Sequence, residues 1–289
     1  MKRHIEAVIN SALSLRNKQD IRTGFELLDQ LTGGLRKGDL IMIGGRPESG
    51  KSTILGDIAY RTVAEERKCC LFFSLERSAE MALLSGLLHI PEKDVSSGLN
   101  SLLFQGNARR QPVSERLAGL FGGALLWMED TSVMTVSELV SVSRRFQKRQ
   151  PIDLIVIDCL QSIAMFRHGS PEKKEDILVQ LKQLALELDC PVLVSSQLSR
   201  KPELRKDHVP ELTDFADFSI PRIADEVLLL YRDYRYQDKP EQDNRTMLFL
   251  AKHPLLTSSS VGFHLEYRDY LGLREKVFEK TPNAADPVL

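Results

Sequence analysis

Along the chain, short runs of consecutive apolar residues alternate with longer stretches in which apolar positions recur every three or four residues. The runs are Asp39–Gly44, Cys69–Leu75, Leu154–Asp158 and Pro191–Ser195. Consecutive apolar residues over so short a length fit strands buried on both faces, as in a parallel sheet covered by helices. The stretches between them have helical spacing. Thr53–Ala59 opens one helix, and Ser78 caps a second with Met81, Leu83, Leu84, Leu87 and Leu88 on its apolar face. Thr135-Val136-Ser137-Glu138 matches a capping box and predicts a helix to about Gln150. Ile177, Leu178, Leu181, Leu184, Ala185 and Leu188 line a further helix, and Ala124–Met128 predicts a short strand. The alternation predicts a doubly wound, mostly parallel α/β sheet with ligand-binding groups at the C-terminal edge of the strands.

The rhythm changes at both ends. From Asp225 onward, Val227–Tyr231, Met247–Ala251 and Val261–Leu265 read as strands without intervening helices, predicted as antiparallel additions at the sheet edge. Residues 1–18 predict a separate amphipathic helix with Ile5, Val8, Ile9, Ala12 and Leu13 on one face. It packs either on its own domain or on a neighbouring subunit. Residues 19–280 form the domain, entered through the glycine-marked turns of 19–38, and the polar tail 281–289 is expected to be disordered.

The predicted strand–helix junction after Gly44 carries the most specific chemistry. Gly45-Arg46-Pro47-Glu48-Ser49-Gly50-Lys51-Ser52-Thr53 fits G-x-x-x-x-G-K-[ST] at every fixed position. Such a loop turns backbone N–H groups toward phosphate at the positive end of a helix. Lys51 can then reach the β- and γ-phosphates of ATP, and the Ser52 hydroxyl can ligate Mg²⁺. Leu154-Ile155-Val156-Ile157-Asp158 delivers one carboxylate to a strand end about 105 residues later, where Asp158 can hold Mg²⁺ through water. Glu76 ends the strand read as neighbour to the phosphate loop. It suits a base that polarises attacking water, and it suits an ordinary solvated glutamate equally well. Gln197, at the end of another strand, offers a neutral amide for the γ-phosphate or has no special role.

Composition narrows the class. The 289 residues are 42% hydrophobic and 27% charged with a net charge of −1, so any nucleic-acid contact must come from local patches. Two polar segments, 165–176 with Arg167, His168, Lys173 and Lys174, and 199–218 with Arg200, Lys201, Arg205, Lys206 and His208, offer such charge, diluted by carboxylates that include Glu172, Glu175, Asp176, Glu203, Asp207 and Glu211. They read as a phosphate-backbone surface or as plain solvated loops. The outward Arg144, Arg145, Lys148 and Arg149 read as a solvated helix face. Cys69, Cys70, Cys159 and Cys190 lie in or beside apolar runs, which predicts buried thiols in a reducing compartment. No run is long enough to span a membrane and no secretory pattern opens the chain, so cytoplasm is the expected location.

Thr23-Gly24-Phe25 with Gly34-Leu35, Arg46-Pro47, Phe73-Ser74-Leu75-Glu76-Arg77-Ser78-Ala79-Glu80, Ile157-Asp158-Cys159-Leu160-Gln161, Ser196-Gln197-Leu198-Ser199-Arg200 and Ala224-Asp225 with Tyr231-Arg232-Asp233 occur in that order. Together they resemble the C-terminal motor domain of DnaB-type replicative helicases, a superfamily 4 group. The resemblance runs from about residue 19 to about residue 275. It implies a RecA-like ATPase fold, a hexameric ring around single-stranded DNA, and ATP and Mg²⁺ as cofactors. It also implies Lys51 and Ser52 on phosphate and Mg²⁺, Asp158 on Mg²⁺, Glu76 as catalytic base and Gln197 as γ-phosphate sensor. Residues 1–18 match that family's linker helix. The family's N-terminal collar domain has no counterpart in the sequence, and a replication loader or primase enters as a candidate partner.

The sequence departs from the pattern at three places. The family places a lysine and, two positions on, an arginine on a late strand, and both reach a neighbour's γ-phosphate. Here Lys252 stands, but Pro254 occupies the arginine position. Ala216-Asp217-Phe218-Ser219 replaces an Arg-Glu-Ser-Gly run that grips DNA, and the first polar segment is shorter. Three functions therefore stay open: a DnaB-type helicase or translocase, an ATP-binding paralogue that loads or regulates without unwinding, and a recombinase-like or clock-type ATPase.

Overall fold

The computed structural model describes residues 21–79, 82, 126–166, 168–232 and 246–254 in full, and the backbone of 245, 261–268 and 272–276. The predicted helix 1–18, nearly all of the helix after Ser78, the stretch 91–122 and the tail lie outside the described residues.

In chain order the elements are α1 (Glu26–Thr32), β1 (Leu40–Gly45), α2 (Lys51–Ala64), β2 (Cys70–Ser74), β3 (Leu126–Glu129), α3 (Val136–Gln147) and β4 (Leu154–Asp158). They continue with α4 (Pro171–Leu188), β5 (Val192–Gln197), α5 (Ser219–Ile223), β6 (Glu226–Tyr231), β7 (Arg245–Lys252), β8 (Val261–Arg268) and β9 (Gly272–Lys276). All nine strands form one sheet in the order β3-β2-β4-β5-β1-β6-β7-β8-β9. The first six of these are mutually parallel, and β7, β8 and β9 are antiparallel.

The apolar runs become buried strands because each face of the sheet has its own core. Leu40 and Met42 of β1, Leu71 and Phe73 of β2, and Ile155 and Ile157 of β4 join one cluster with side chains of α3 and α4. Their neighbours Ile41, Ile43, Cys70, Phe72, Leu154 and Val156 join the other, with α1 and α2. Strict alternation between two apolar layers leaves no position for a polar residue until the strand ends, which is where the chemistry begins. The Thr135–Glu138 capping box opens α3 as predicted. All four cysteines are buried and free.

Several expectations need correction. Val227–Tyr231 is not an antiparallel addition: β6 runs parallel to β1, with Ile41 opposite Glu226 and Gly45 opposite Leu230. Glycine-led β9 adds an edge strand that its polar sequence concealed. The short strand is Leu126–Glu129 and α3 ends at Gln147. Ser170 and Pro171 start α4 inside the segment read as a loop, so Lys173 and Lys174 lie on its first turn.

The Thr23-Gly24-Phe25 motif is structural. The Asp29 carboxylate accepts from the Thr23 N–H at 2.8 Å, the Thr23 hydroxyl at 2.7 Å and the Gly24 N–H at 3.1 Å, locking the entry to α1. Gly24 has φ +79, a left-handed conformation that favours glycine, and a Cβ there would also push the Arg61 side chain aside. Asp225 ties down the start of β1: its carboxylate accepts from the Leu40 N–H at 2.7 Å and from Lys182 at 2.6 Å.

Glu226, beside Asp225, is 1% exposed, and neither carboxylate oxygen has a hydrogen-bond partner among the described residues. Burial pushes its carboxyl up to about 8, helped by Asp39, Asp29 and Asp225 and opposed by Arg36. Its ordinary value is 4.5, so between those values the folded state keeps a proton that the unfolded chain has released. Stability must fall as pH rises through that window. Glu226→Gln, which mimics the neutral acid, is expected to flatten this loss. Its stability relative to wild type should be greater at pH 8 than at pH 5.5 by on the order of 1 kcal/mol or more, read by urea denaturation. An unchanged pH slope would place the buried charge elsewhere.

Candidate functional site

The phosphate loop leaves β1 at Gly45 and enters α2 at Lys51. Its backbone curls because Glu48 has φ +60 and Gly50 φ +96, both left-handed. A Cβ on Gly45 would lie 2.3 Å from Ser49 Oγ, so side chains are excluded from the cradle. Ser49 Oγ is itself buried with no partner among the described residues. Glycine-cleared space, an unpartnered hydroxyl and the open N-terminus of a 14-residue helix fit a phosphate group. Pro47, Ser52 and Thr53 complete the loop and the first turn of α2.

Lys51 donates to the carbonyls of Gly45 at 3.0 Å and Arg46 at 2.9 Å. Burial lowers its pKa to about 8, while Asp158, Cys159 and Glu76 favour the charged form and Arg46 opposes it. The lysine therefore stands in the field of the carboxylates predicted from sequence, although they come from different strands. Asp158, 7% exposed at the end of β4, accepts from the Ser195 hydroxyl of β5 at 2.5 Å. A hydroxyl, a carboxylate and water are hard oxygen donors that suit Mg²⁺. Among the described residues no three His, Cys, Asp or Glu side chains cluster as a metal site of their own, so a metal here would need phosphate oxygens and water as well.

Glu76 arrives by another route than the one expected. Its strand β2 is not beside β1, because β4 and β5 lie between them. Glu76 follows the end of β2, where Leu75 N–H donates to Asp158 O at 2.8 Å. Its carboxylate accepts from the Cys159 thiol at 3.4 Å. Burial raises the pKa of that thiol, which keeps it a proton donor at neutral pH. Gln197 ends β5, directly beside β1. Its backbone N–H donates to Gln161 Oε1 at 3.1 Å, and Gln161 Nε2 donates to Ser196 Oγ at 3.0 Å.

Lys252 is not brought to this site. It pairs in register with Val227, near the start of β6 and away from the phosphate-loop end. Its ammonium donates to the carbonyls of Pro221 at 2.9 Å and Ala224 at 2.5 Å, at the C-terminal end of α5. Pro254, two residues on, is exposed. In the second polar segment Arg205 pairs with buried Asp214 at 2.9 Å, and Lys201 donates to Thr213 O at 3.1 Å, so part of the positive charge is structural.

Sequence reasoning gave no role to Ser195, Gln161, Glu203 or Arg232. Arg232 Nε donates to Thr246 Oγ1 at 3.0 Å, and its guanidinium lies 3.2 Å from where a Gly50 Cβ would stand. Their signal was position alone: Ser195 lies two residues before the end of β5, and the others follow strands at the same sheet edge.

A phosphate loop on the central strand of a mostly parallel sheet, with carboxylates and an amide on the neighbouring strand ends, is the layout of a RecA-like ATPase fold. The sequence profile of the DnaB-like helicase C terminal domain matches residues 20–268, and the chain belongs to that family. The replicative DNA helicase DnaB of Geobacillus stearothermophilus is 32% identical over 273 residues, covering 90% of this chain and 58% of that protein. The replicative DNA helicase DnaC of Bacillus subtilis is 30% identical over 266 residues, covering 89% and 57%. The chain thus spans little more than half the length of these relatives. Among solved structures, a DnaB-like replicative helicase studied with primase superposes with a TM-score of 0.78 at 22% identity, covering 95% of this chain and 67% of that one. A separately solved ATPase domain gives 0.77 at 22%, covering 94% and 98%.

The lowered pKa of Lys51 makes a measurable prediction. A bound triphosphate favours the ammonium form, so binding at pH 8 to 8.5 should take up a fraction of a proton. Calorimetric titration with ATP and Mg²⁺ in buffers of different ionisation enthalpy reads this directly. Uptake should fade at pH 6.5, where Lys51 is already charged, and vanish in Lys51→Met.

Proposed function

We propose that this domain hydrolyses ATP and couples hydrolysis to movement along single-stranded DNA, as the motor of a DnaB-type replicative helicase. The observation that carries the proposal is the phosphate loop between β1 and the helix that Lys51 opens, with Asp158 ending β4 and Glu76 held beside it by the Leu75–Asp158 backbone bond and the Cys159 thiol. In this reading the loop amides, with Lys51, bind and orient the triphosphate. Ser52 and Asp158 would hold Mg²⁺, which would supply positive charge against that of the phosphates. Glu76 accepts the proton of the attacking water, and Cys159 orients that carboxylate. Gln197 ends the strand beside the loop, and its amide is the group offered to the γ-phosphate.

Lys252, at the other edge of the sheet, acts on a neighbouring copy in a hexameric ring only as far as the family pattern implies, and we place it there on that pattern. Arg200, Lys201 and Lys206 are the cations offered to the DNA backbone. A cytoplasmic setting and a loader or primase partner belong to the same proposal. Among the described residues no helix is long and apolar enough to cross a membrane.

A second reading, an ATP-binding paralogue that loads or regulates, is favoured by one observation. Exposed Pro254 stands where the family pattern has the arginine that serves a neighbour's phosphate, and it carries no charge. Steady-state ATPase with and without single-stranded DNA, at low and moderate salt, separates the two. Strong stimulation is expected for the motor, and turnover indifferent to DNA for the paralogue.

Two substitutions sharpen the assignment. Glu76→Gln should keep ATP affinity and lower kcat by about a hundredfold or more. Hydrolysis at the wild-type rate would remove Glu76 from the role of base. Pro254→Arg should raise DNA-stimulated turnover by about tenfold or more if the missing cation limits the rate. No gain would mean that the rate is limited elsewhere.

A further inference from the structure

The phosphate loop is joined to the segment after β5 by contacts that neither phosphate binding nor hydrolysis requires. The Arg46 guanidinium leaves the loop sideways. Its Nη1 donates to the Leu198 carbonyl at 2.8 Å, and its Nε and Nη2 donate to Glu203 Oε1 at 3.0 and 2.7 Å. The backbone repeats the join, because the Leu198 N–H donates to the Gly45 carbonyl at 3.1 Å.

That carbonyl is shared. Gly45 O accepts from Leu198 N and from Lys51 Nζ at once, and Lys51 also holds the carbonyl of Arg46 itself. The cation that answers to phosphate and the segment after β5 thus meet on one backbone oxygen, whose two lone pairs hold both. Charge-assisted bonds to phosphate are stronger than bonds to neutral carbonyls. An anion in the cradle therefore draws the ammonium off Gly45 O and Arg46 O, and Gly45 O is left with its partner on the 198 segment.

The segment is built to respond as a unit. Ser199 N–H donates to Asp214 O at 2.9 Å, Arg205 pairs with Asp214, and the Tyr231 hydroxyl donates to Asp207 O at 2.9 Å. It carries Arg200, Lys201 and Lys206. Among the described residues the Glu203 carboxylate is bonded to Arg46.

We infer that Glu203 is a positioning residue: through Arg46 it ties residues 198–208 to the phosphate loop, so that phosphate occupancy is transmitted to that cation-bearing segment. The inference rests on the nucleotide-binding part of the proposed function and on nothing about DNA. The test is amide hydrogen exchange of residues 198–208 with and without the slowly hydrolysed analogue ATPγS and Mg²⁺, with affinity measured separately by calorimetry. Wild type should show at least about a threefold change in exchange on saturation. Glu203→Ala should lose most of that change, with ATPγS affinity kept within about threefold. Glu203→Gln, which retains an acceptor oxygen for Arg46, should recover it.

A wild-type segment that is unchanged when ATPγS binds would overturn the inference and leave the nucleotide site standing. So would a Glu203→Ala variant with the full change, or a Gln variant as impaired as the Ala variant. Absence of ATPγS binding to wild type would overturn the nucleotide site itself, and this inference with it.

Discussion

Strand β1 has apolar side chains on both faces up to Gly44, so it can exist only inside a sheet covered on both sides. Its backbone is satisfied by β5 on one edge and β6 on the other. At its start Asp225 accepts the Leu40 N–H and is itself held by Lys182. At its end there is no further side chain to bury, and the chain turns through glycines into α2. The position of the phosphate loop is thus fixed by the burial of the strand behind it. The groups that face the loop come from the ends of strands in this sheet and from the segments that follow them.

That register decides which groups meet. β5 lies beside β1 and β4 beside β5, so Gln197 and Asp158 end one and two strands from the loop. The Ser195 hydroxyl ties the Asp158 carboxylate across that gap. Glu76, a strand farther out, is steered by the Leu75–Asp158 backbone bond and by Cys159. The cost of placing Lys51 among buried groups appears in its lowered pKa, and the nearby carboxylates partly offset that cost. Desolvation and opposite charge act against each other, and desolvation is the larger of the two.

The parallel strands and the phosphate loop were legible in the sequence because both depend on local pattern: two-layer burial leaves an unbroken apolar run, and a tight anion cradle demands glycine. What the sequence concealed depends on strand order. Apolar runs carry no label for their neighbours, so nothing in them shows that β4 and β5 separate β2 from β1 or that β6 runs parallel to β1. Gly272–Lys276 has too few apolar residues to read as a strand, yet pairs along its length with β8. The Arg46–Glu203 and Asp158–Ser195 contacts join residues 157 and 37 positions apart, and only the folded sheet brings them together.

The same geometry separates two cations that the family pattern assigns to one reaction. Lys51 opens α2 at the C-terminal edge of the parallel strands. Lys252 lies in register with Val227 at the N-terminal edge, with its ammonium bound to carbonyls at the end of α5. A sheet buried on both faces does not bend to bring its edges together. Chemistry that used both lysines on one phosphate would therefore need two copies of the chain, with the C-terminal edge of one facing the N-terminal edge of the next. Such an arrangement is head-to-tail, and a head-to-tail contact either closes into a ring or continues as a helix. Releasing Lys252 from Pro221 and Ala224 would then be part of forming the contact, since its ammonium cannot hold those carbonyls and reach across to a phosphate together.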